Sequence, residues 1–316
     1  MIISYTQCSF MKSCPMKYKF RYVDGLQPKK KSSSLMRGKV VHEAFEKFFN
    51  GETKESILQF IHDAFNKVLG KATVEEEEEM LLSKYTTLGM VENYPLELSE
   101  FDEIIPEEAF TVRVPRMRGV EFTGRVDGLV KKKGLWWIRE VKTTGNTQMQ
   151  AETRARVSSQ ASGYVWGINA RDHLNVQGLL YDFINKSRLK KRESDTATSF
   201  GERILEDYRA HMIDPKTGKE LKTSRMYHRY YTYRSLTVLD EFVKDLEKIA
   251  RRIRDAKREK DFMRNTDACY SYNTECPYLK ICFLQHADSE MLNAFYERSE
   301  DGKERGEDSR SRRNWF

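Results

Sequence analysis

"RVDGLVKKKGLWWIREVK", residues 125–142, has the texture of two short strands folded over a basic turn, yet it carries Asp127, Glu140 and Lys142 among apolar, strand-forming residues. Side chains two apart on a strand point the same way. In "WWIREVK" that places Ile138, Glu140 and Lys142 on one face, and Trp137, Arg139 and Val141 on the other. Glu140 and Lys142 then stand side by side, roughly 6 to 7 Å apart at their Cα atoms. The hairpin brings Asp127 from the preceding strand close to both. Two carboxylates and an ammonium on one patch are costly to bury without a role, and two mutually repelling acids suit a divalent cation. A cation held this way can bind a phosphodiester oxygen and acidify a water, while the lysine orients that water or stabilises charge on phosphorus. An ordinary surface hairpin with a cross-strand ion pair would show the same three residues.

Working outward, "SLMRGKVVHEAFEKFFN" (34–50) places Val41, Phe45, Phe48 and Phe49 at helical spacing and closes on Asn50-Gly51. A second helix is expected from Lys54 to about Leu69 behind the cap Thr53, and a third from the Glu75–Glu79 run to about Tyr94. "FDEIIPEEAFTVRVP", "GVEFTGRVDGLV" and "LWWIREVK" alternate as a meander of antiparallel strands would. "ETRARVSSQASGYVWGINA" returns to helical character and "NVQGLLYDFI" to strand. A long basic helix spans Ser235–Phe262 on the stripe Leu239, Phe242, Leu246, Ile249 and Ile253. The order predicts an α/β fold about a central sheet, one domain over residues 1–298, with 299–316 too poor in apolar residues to fold. No repeat and no GxxxxGK[ST] phosphate loop is present, which argues against a built-in motor domain.

The chain has 316 residues, one third of them charged, and a net charge of +7. Five acids sit in the single run Glu75–Glu79, so the remainder is more basic than the total suggests, a surplus that suits a polyanion such as nucleic acid. "KSRLKKR" (186–192) and the aromatic-basic "KTSRMYHRYYTYR" (222–234) are candidates for a groove with rings for bases to stack on. No run is long enough to span a membrane and the N-terminus does not read as a signal peptide, so a cytoplasmic protein is expected. Five cysteines, Cys8, Cys14, Cys269, Cys276 and Cys282, group at the two ends of the chain. In a reducing compartment that grouping suggests metal ligation, and four thiolates fit either zinc or an iron–sulfur cluster.

Asp127 followed thirteen positions on by Glu140-x-Lys142 resembles the PD-(D/E)XK nuclease signature, and further elements of its RecB-like branch follow in order. "RGKVVHE" supplies the Gly38 and His42 of an upstream helix, and "QASGY" the Gln160 and Tyr164 of a downstream one. The resemblance implies a restriction-endonuclease-like core, a mixed central sheet flanked by helices. It implies Mg²⁺ or Mn²⁺ held by His42, Asp127, Glu140 and the Val141 carbonyl, with Lys142 assisting the attacking water. Gln160 and Tyr164, four apart on one helix face, could position a phosphate or a base. Cys14-Pro15 near the start and three cysteines after the last helix are similar to the cluster-bearing RecB-like nucleases, including the CRISPR adaptation and AddB-type recombination nucleases. That likeness implies a 4Fe-4S cluster on Cys14, Cys269, Cys276 and Cys282 fastening the N- and C-terminal segments. The family often shows Cys-x2-Cys-x5-Cys, whereas Cys269 precedes Cys276 by six intervening residues. Cys269 is the least secure ligand and Cys8 its reserve.

The implied activity is a DNA exonuclease acting at ends, preferring single strands, in recombination, repair, phage replication or CRISPR-type adaptation, with a helicase, recombination protein or integrase as possible partner. Two alternatives use the same residues. A non-catalytic DNA-binding subunit could have kept the fold, and a structural adaptor could use the cysteine staple to bind a helicase or an integrase.

Overall fold

The computed structural model describes residues 1–29, 33–70, 73–95, 98–172, 174–271, 274–284 and 289–298. The tail expected over 299–316 lies outside the described residues. The chain starts with β1 (Ile2–Ser4) and α1 (Tyr5–Ser13), where Ser4 and Gln7 form a reciprocal cap. Then come α2 (Pro15–Tyr18), a π-helical turn and β2 (Leu26–Pro28). Three helices follow, α3 (Ser33–Phe49), α4 (Lys54–Leu69) and α5 (Val74–Glu92), the second opened by the Thr53 hydroxyl accepting the Ser56 N–H. Val40, Ala44, Ile57, Ile61, Phe65 and Leu88 lock these three together.

The strands that follow are β3 (Glu103–Ile105), β4 (Glu108–Arg113), β5 (Glu121–Val126), β6 (Leu129–Lys132) and β7 (Leu135–Thr144). They are not the single meander that their alternation suggests. Pro106 and Glu107 break the run at 103–113, and β3 joins one sheet while β4 joins another. The crossing back occurs at Asp127-Gly128, between β5 and β6. A Cβ on Gly128 would lie 3.0 Å from the Ile105 carbonyl oxygen, so glycine lets the two backbones approach closely there.

After β7 the expected single helix is two, α6 (Gln148–Arg156) and α7 (Ser159–Asp172), interrupted at Val157-Ser158. Next come β8 (Val176–Asn185), α8 (Ala197–Arg209), β9 (Tyr227–Tyr233) and α9 (Leu236–Glu259). The end of the described chain holds the two-residue strands β10 (Tyr270–Ser271) and β11 (Thr274–Glu275), then α10 (Leu279–Cys282), α11 (Ser289–Phe295) and β12 (Tyr296–Arg298).

The main sheet has the order β3-β6-β7-β8-β9, antiparallel except for the parallel β7–β8 pair that α6 and α7 connect. A smaller sheet, β1-β5-β4, pairs β1 parallel to β5. One face of the main sheet buries Ile138 and Leu179 with Phe122, Val165, Ile168, Leu246 and Ile253, under α7 and α9. The other buries Val141 and Ile184 against Val41, Phe45, Met90 and Ile204 of α3, α5 and α8. This is a three-layer α/β sandwich with a mixed sheet, as expected. The N-terminal segment meets the end of the described chain: β12 pairs antiparallel with β2, and the Tyr278 hydroxyl donates to the Leu26 carbonyl at 2.9 Å. Among the described residues no helix is long and apolar enough to cross a membrane.

Candidate active site

Each functional side chain is positioned by a local rule. Period-two alternation on β7 turns Glu140 and Lys142 to the same face, where the Lys142 Nζ lies 2.5 Å from Glu140 Oε1. Asp127, at the junction of the two sheets, accepts the Val141 N–H on Oδ2 at 2.9 Å. Val41 and Phe45 seat α3 on Val141 and Ile184, and the next residue after Val41 reaches the same carboxylate: His42 Nδ1 is 3.0 Å from Asp127 Oδ2. On α7, Gln160 Nε2–H donates to the Tyr164 hydroxyl oxygen at 2.8 Å. That bond leaves the Tyr164 proton free for another acceptor.

Burial and charge set the protonation states. Glu140 is 5 % exposed, and burial followed by the Asp127 charge pushes its carboxyl above the usual range. Its Oε2 is buried without any hydrogen-bond partner. Asp127 is driven up by burial but more than compensated by the His42 hydrogen bond and charge, the Val141 N–H and Lys142, so its net shift is downward. Burial likewise opposes the charged form of His42 and Lys142, yet Asp127 raises the first and Glu140 the second. Burial, with the Glu140 charge behind it, pushes the Tyr164 phenol up to about 12, so it stays protonated.

The two carboxylates thus close into two ion pairs, His42–Asp127 and Lys142–Glu140. The expected ligand set is neighbouring rather than assembled: among the described residues no group of three or more His, Cys, Asp and Glu side chains is arranged to hold a metal ion. The donors nevertheless fit a hard cation. A buried carboxylate oxygen with no donor, beside a second carboxylate that repels it, is relieved by a divalent ion more fully than by one ammonium.

The linkage of the His42–Asp127 pair is testable on metal-free protein. His42 is raised, so its contribution is complete below the unfolded value of about 6.5 and is lost as pH rises through the folded one. Asp127 is lowered, so its contribution is present above the unfolded value of about 3.9 and is lost as pH falls through the folded one. Urea unfolding should show a plateau between these limits and an alkaline decline. His42→Ala should flatten that decline, and an unchanged slope would show that the pair adds nothing to the fold.

Among the cysteines, Cys14, Cys269, Cys276 and Cys282 lie in one region, where the N-terminal segment meets the end of the described chain, but among the described residues no three of them are arranged to hold a metal ion. The Asn265 N–H donates to Cys14 Sγ at 3.4 Å, and the Cys276 N–H donates to the Cys269 carbonyl at 2.7 Å. Burial raises the Cys276 and Cys282 thiols, and both also feel Cys14 and Cys269. Cys8 is elsewhere, packed with Ile3 and Met11 in the main core, where burial lifts its thiol to about 12.

The aromatic-basic run, a candidate stacking groove or equally a plain strand of alternating tyrosines, has most of its rings engaged within the fold. It forms β9, with the Tyr227 hydroxyl donating to the Gly89 carbonyl at 3.1 Å and Tyr231 edge-on to Trp137. Of its tyrosines only Tyr233 is largely exposed. In the basic run Lys191 pairs with Glu78, whereas Arg188, Lys190 and Arg192 are exposed. Sequence reasoning passed over Arg37, one turn before Val41, and the buried Arg139–Asp182 pair beneath the site; for Arg139, position on the apolar face of β7 was the available signal.

No curated protein matches the chain. A solved structure described as a "Putative exonuclease" from Eubacterium rectale is similar at 12 % identity and a TM-score of 0.45, over 83 % of this chain and 84 % of that one. The sequence profile of the PD-(D/E)XK nuclease superfamily matches residues 2–283, a span that takes in His42, Asp127, Glu140, Lys142, Gln160 and Tyr164. The chain belongs to the PD-(D/E)XK nuclease superfamily.

Proposed function

We propose that this protein is a metal-dependent DNA exonuclease that hydrolyses phosphodiester bonds at DNA ends, with preference for single strands. The observation that carries the reading is the unpartnered Glu140 Oε2, buried beside Asp127 and Lys142 on one strand end. Asp127, Glu140, His42 and the Val141 carbonyl would hold Mg²⁺ or Mn²⁺, which would supply Lewis acidity toward the scissile phosphate. Lys142, kept protonated by Glu140, donates to a phosphate oxygen and offsets the charge that builds on phosphorus. With its oxygen engaged by Gln160, Tyr164 directs its own proton toward the same region and fixes the strand. The exposed Arg188, Lys190 and Arg192 suit the approach of a phosphate backbone.

The thiols of Cys14, Cys269, Cys276 and Cys282 match the donor chemistry of a 4Fe-4S cluster, which would staple ends that β2, β12 and Tyr278 already bring together. Recombination, repair, phage replication or CRISPR-type adaptation are the settings for such an activity, with a helicase, recombination protein or integrase as partner. The test is purification without oxygen, iron and sulfide analysis, and digestion of oligonucleotides labelled at one end or the other with Mg²⁺ or Mn²⁺. Cluster-bearing protein should release label from one end first. Absence of cleavage of any DNA with either metal overturns the proposal.

A further inference from the structure

The parallel strands β7 and β8 end side by side at Thr144 and Asn185, and the carboxyl ends of parallel strands are where open sheets receive ligands. Just beyond, the Lys186 N–H donates to the Thr144 carbonyl at 2.8 Å. Helix α3 runs against β7: the Phe49 ring lies under Arg139, while Val41 packs in the cluster that holds Val141. Its first turns therefore overhang these strand ends and carry Arg37 there. Arg37 Nη1–H donates to Ser83 Oγ at 3.0 Å, but its Nε is buried without an acceptor. Lys186 is half-buried and has no carboxylate partner among the described residues. Burial and then the Arg37 charge weaken its proton affinity.

The Tyr208 hydroxyl donates to the Asn185 carbonyl at 2.9 Å and accepts the Ser187 N–H at 3.3 Å, so it brackets Lys186 from both sides while lying in the field of Arg37. Space is available around the two cations. A Cβ on Gly38 would meet nothing within 4 Å, and one on Gly145 only the Lys186 Cδ, at 4.0 Å.

Two partly desolvated cations repel each other here, one with an unused buried donor; the Glu79 charge lies near Arg37, but among the described residues no carboxylate contacts either cation directly. We propose that Arg37 and Lys186 form a phosphate subsite that grips the DNA strand next to the bond being cut; this rests on the nuclease reading above. Lys142 stands opposite Phe183, and Lys186, one residue past the end of β8, lies three residues beyond Phe183, about 10 Å further on at ~3.3 Å per residue. The subsite therefore takes a different phosphate from the one that faces Lys142.

The test is fluorescence anisotropy of single-stranded oligonucleotides in EDTA, over a range of salt, for wild type, Arg37→Ala, Lys186→Ala and the charge-keeping Arg37→Lys and Lys186→Arg. Each alanine variant should weaken binding about tenfold and lower the slope of log affinity against log salt by about one, and the charge-keeping variants should retain most of both. Circular strands and linear strands with or without a 5′-phosphate separate the two sources of the group: loss on circles assigns a backbone phosphate, and loss confined to phosphorylated ends assigns a terminal one. Wild-type slope and affinity in both alanine variants, with wild-type protein binding and cutting DNA, overturns the subsite alone. Wild-type protein that neither binds nor cuts DNA overturns both it and the nuclease reading.

Discussion

Glu140→Gln should lower metal-dependent cleavage by about 10²- to 10³-fold while leaving the metal-free protein no less stable than wild type. The first half follows from removing the carboxylate whose free Oε2 is best placed to meet a cation, a loss of directed charge stabilisation of the kind that costs enzymes about 10² to 10³ for a single donor. The second half follows from linkage. A carboxyl held above its ordinary range by burial and by Asp127 is destabilising when ionised, and its contribution falls as pH rises, so a neutral isostere removes a cost at neutral pH. Thermal melting and end-label digestion on the same preparation check both halves. Cleavage within about tenfold of wild type would sink the catalytic role, and a variant that melts well below wild type would assign Glu140 a structural one.

The largest effect on stability is expected at Asp182→Ala. This carboxylate, 1 % exposed, accepts Arg139 Nε–H at 2.8 Å on one oxygen and Arg229 Nε–H at 2.7 Å on the other. Arg229 has a second partner in Glu100, but Arg139 has none: its Nη1 and Nη2 are buried without acceptors, and the guanidinium rests 3.7 Å from the Phe49 ring centroid. Removing Asp182 leaves an uncompensated buried charge on the strand that carries Glu140 and Lys142. A loss of about 3 to 5 kcal/mol in urea unfolding is expected. Replacing both members, Arg139→Met with Asp182→Leu, should recover most of that loss, because the desolvation cost of the pair disappears with its attraction. If the double variant is as unstable as the single one, the pair is not the source of the cost.

These two predictions concern opposite faces of one strand, and the faces differ in how far they could be read in advance. The alternation of "WWIREVK" places Glu140 and Lys142 together, because side-chain direction on a strand depends only on the backbone of that strand. The helices over 33–49 and 54–69 were legible for the same reason, since Thr53 and the spacing of Val41 and Phe45 act within a few residues. The aromatic run 227–233 is compatible with exposed rings or with a plain packed strand; it lies against β8, with Tyr227 bonded to the Gly89 carbonyl and Tyr231 beside Trp137, while Tyr233 stays exposed. Which neighbour covers a strand is set by distant segments, and alternation alone does not report it.

By itself the sequence determined the acidic and basic residues of the site, their order along the chain and the local elements that carry them, because periodicity and caps are short-range properties. Only the tertiary structure decided that β3 and β4 part into different sheets, that Asp127 sits at the crossing where the Val141 N–H and His42 both reach it, and that Arg139 finds Asp182. It alone also drew Cys14 into the region of Cys276 and Cys282 while leaving Cys8 in the core. Those outcomes depend on pairing between segments far apart in the chain, whose selection rests on total burial and on satisfying every buried polar group at once, and no local pattern encodes that sum.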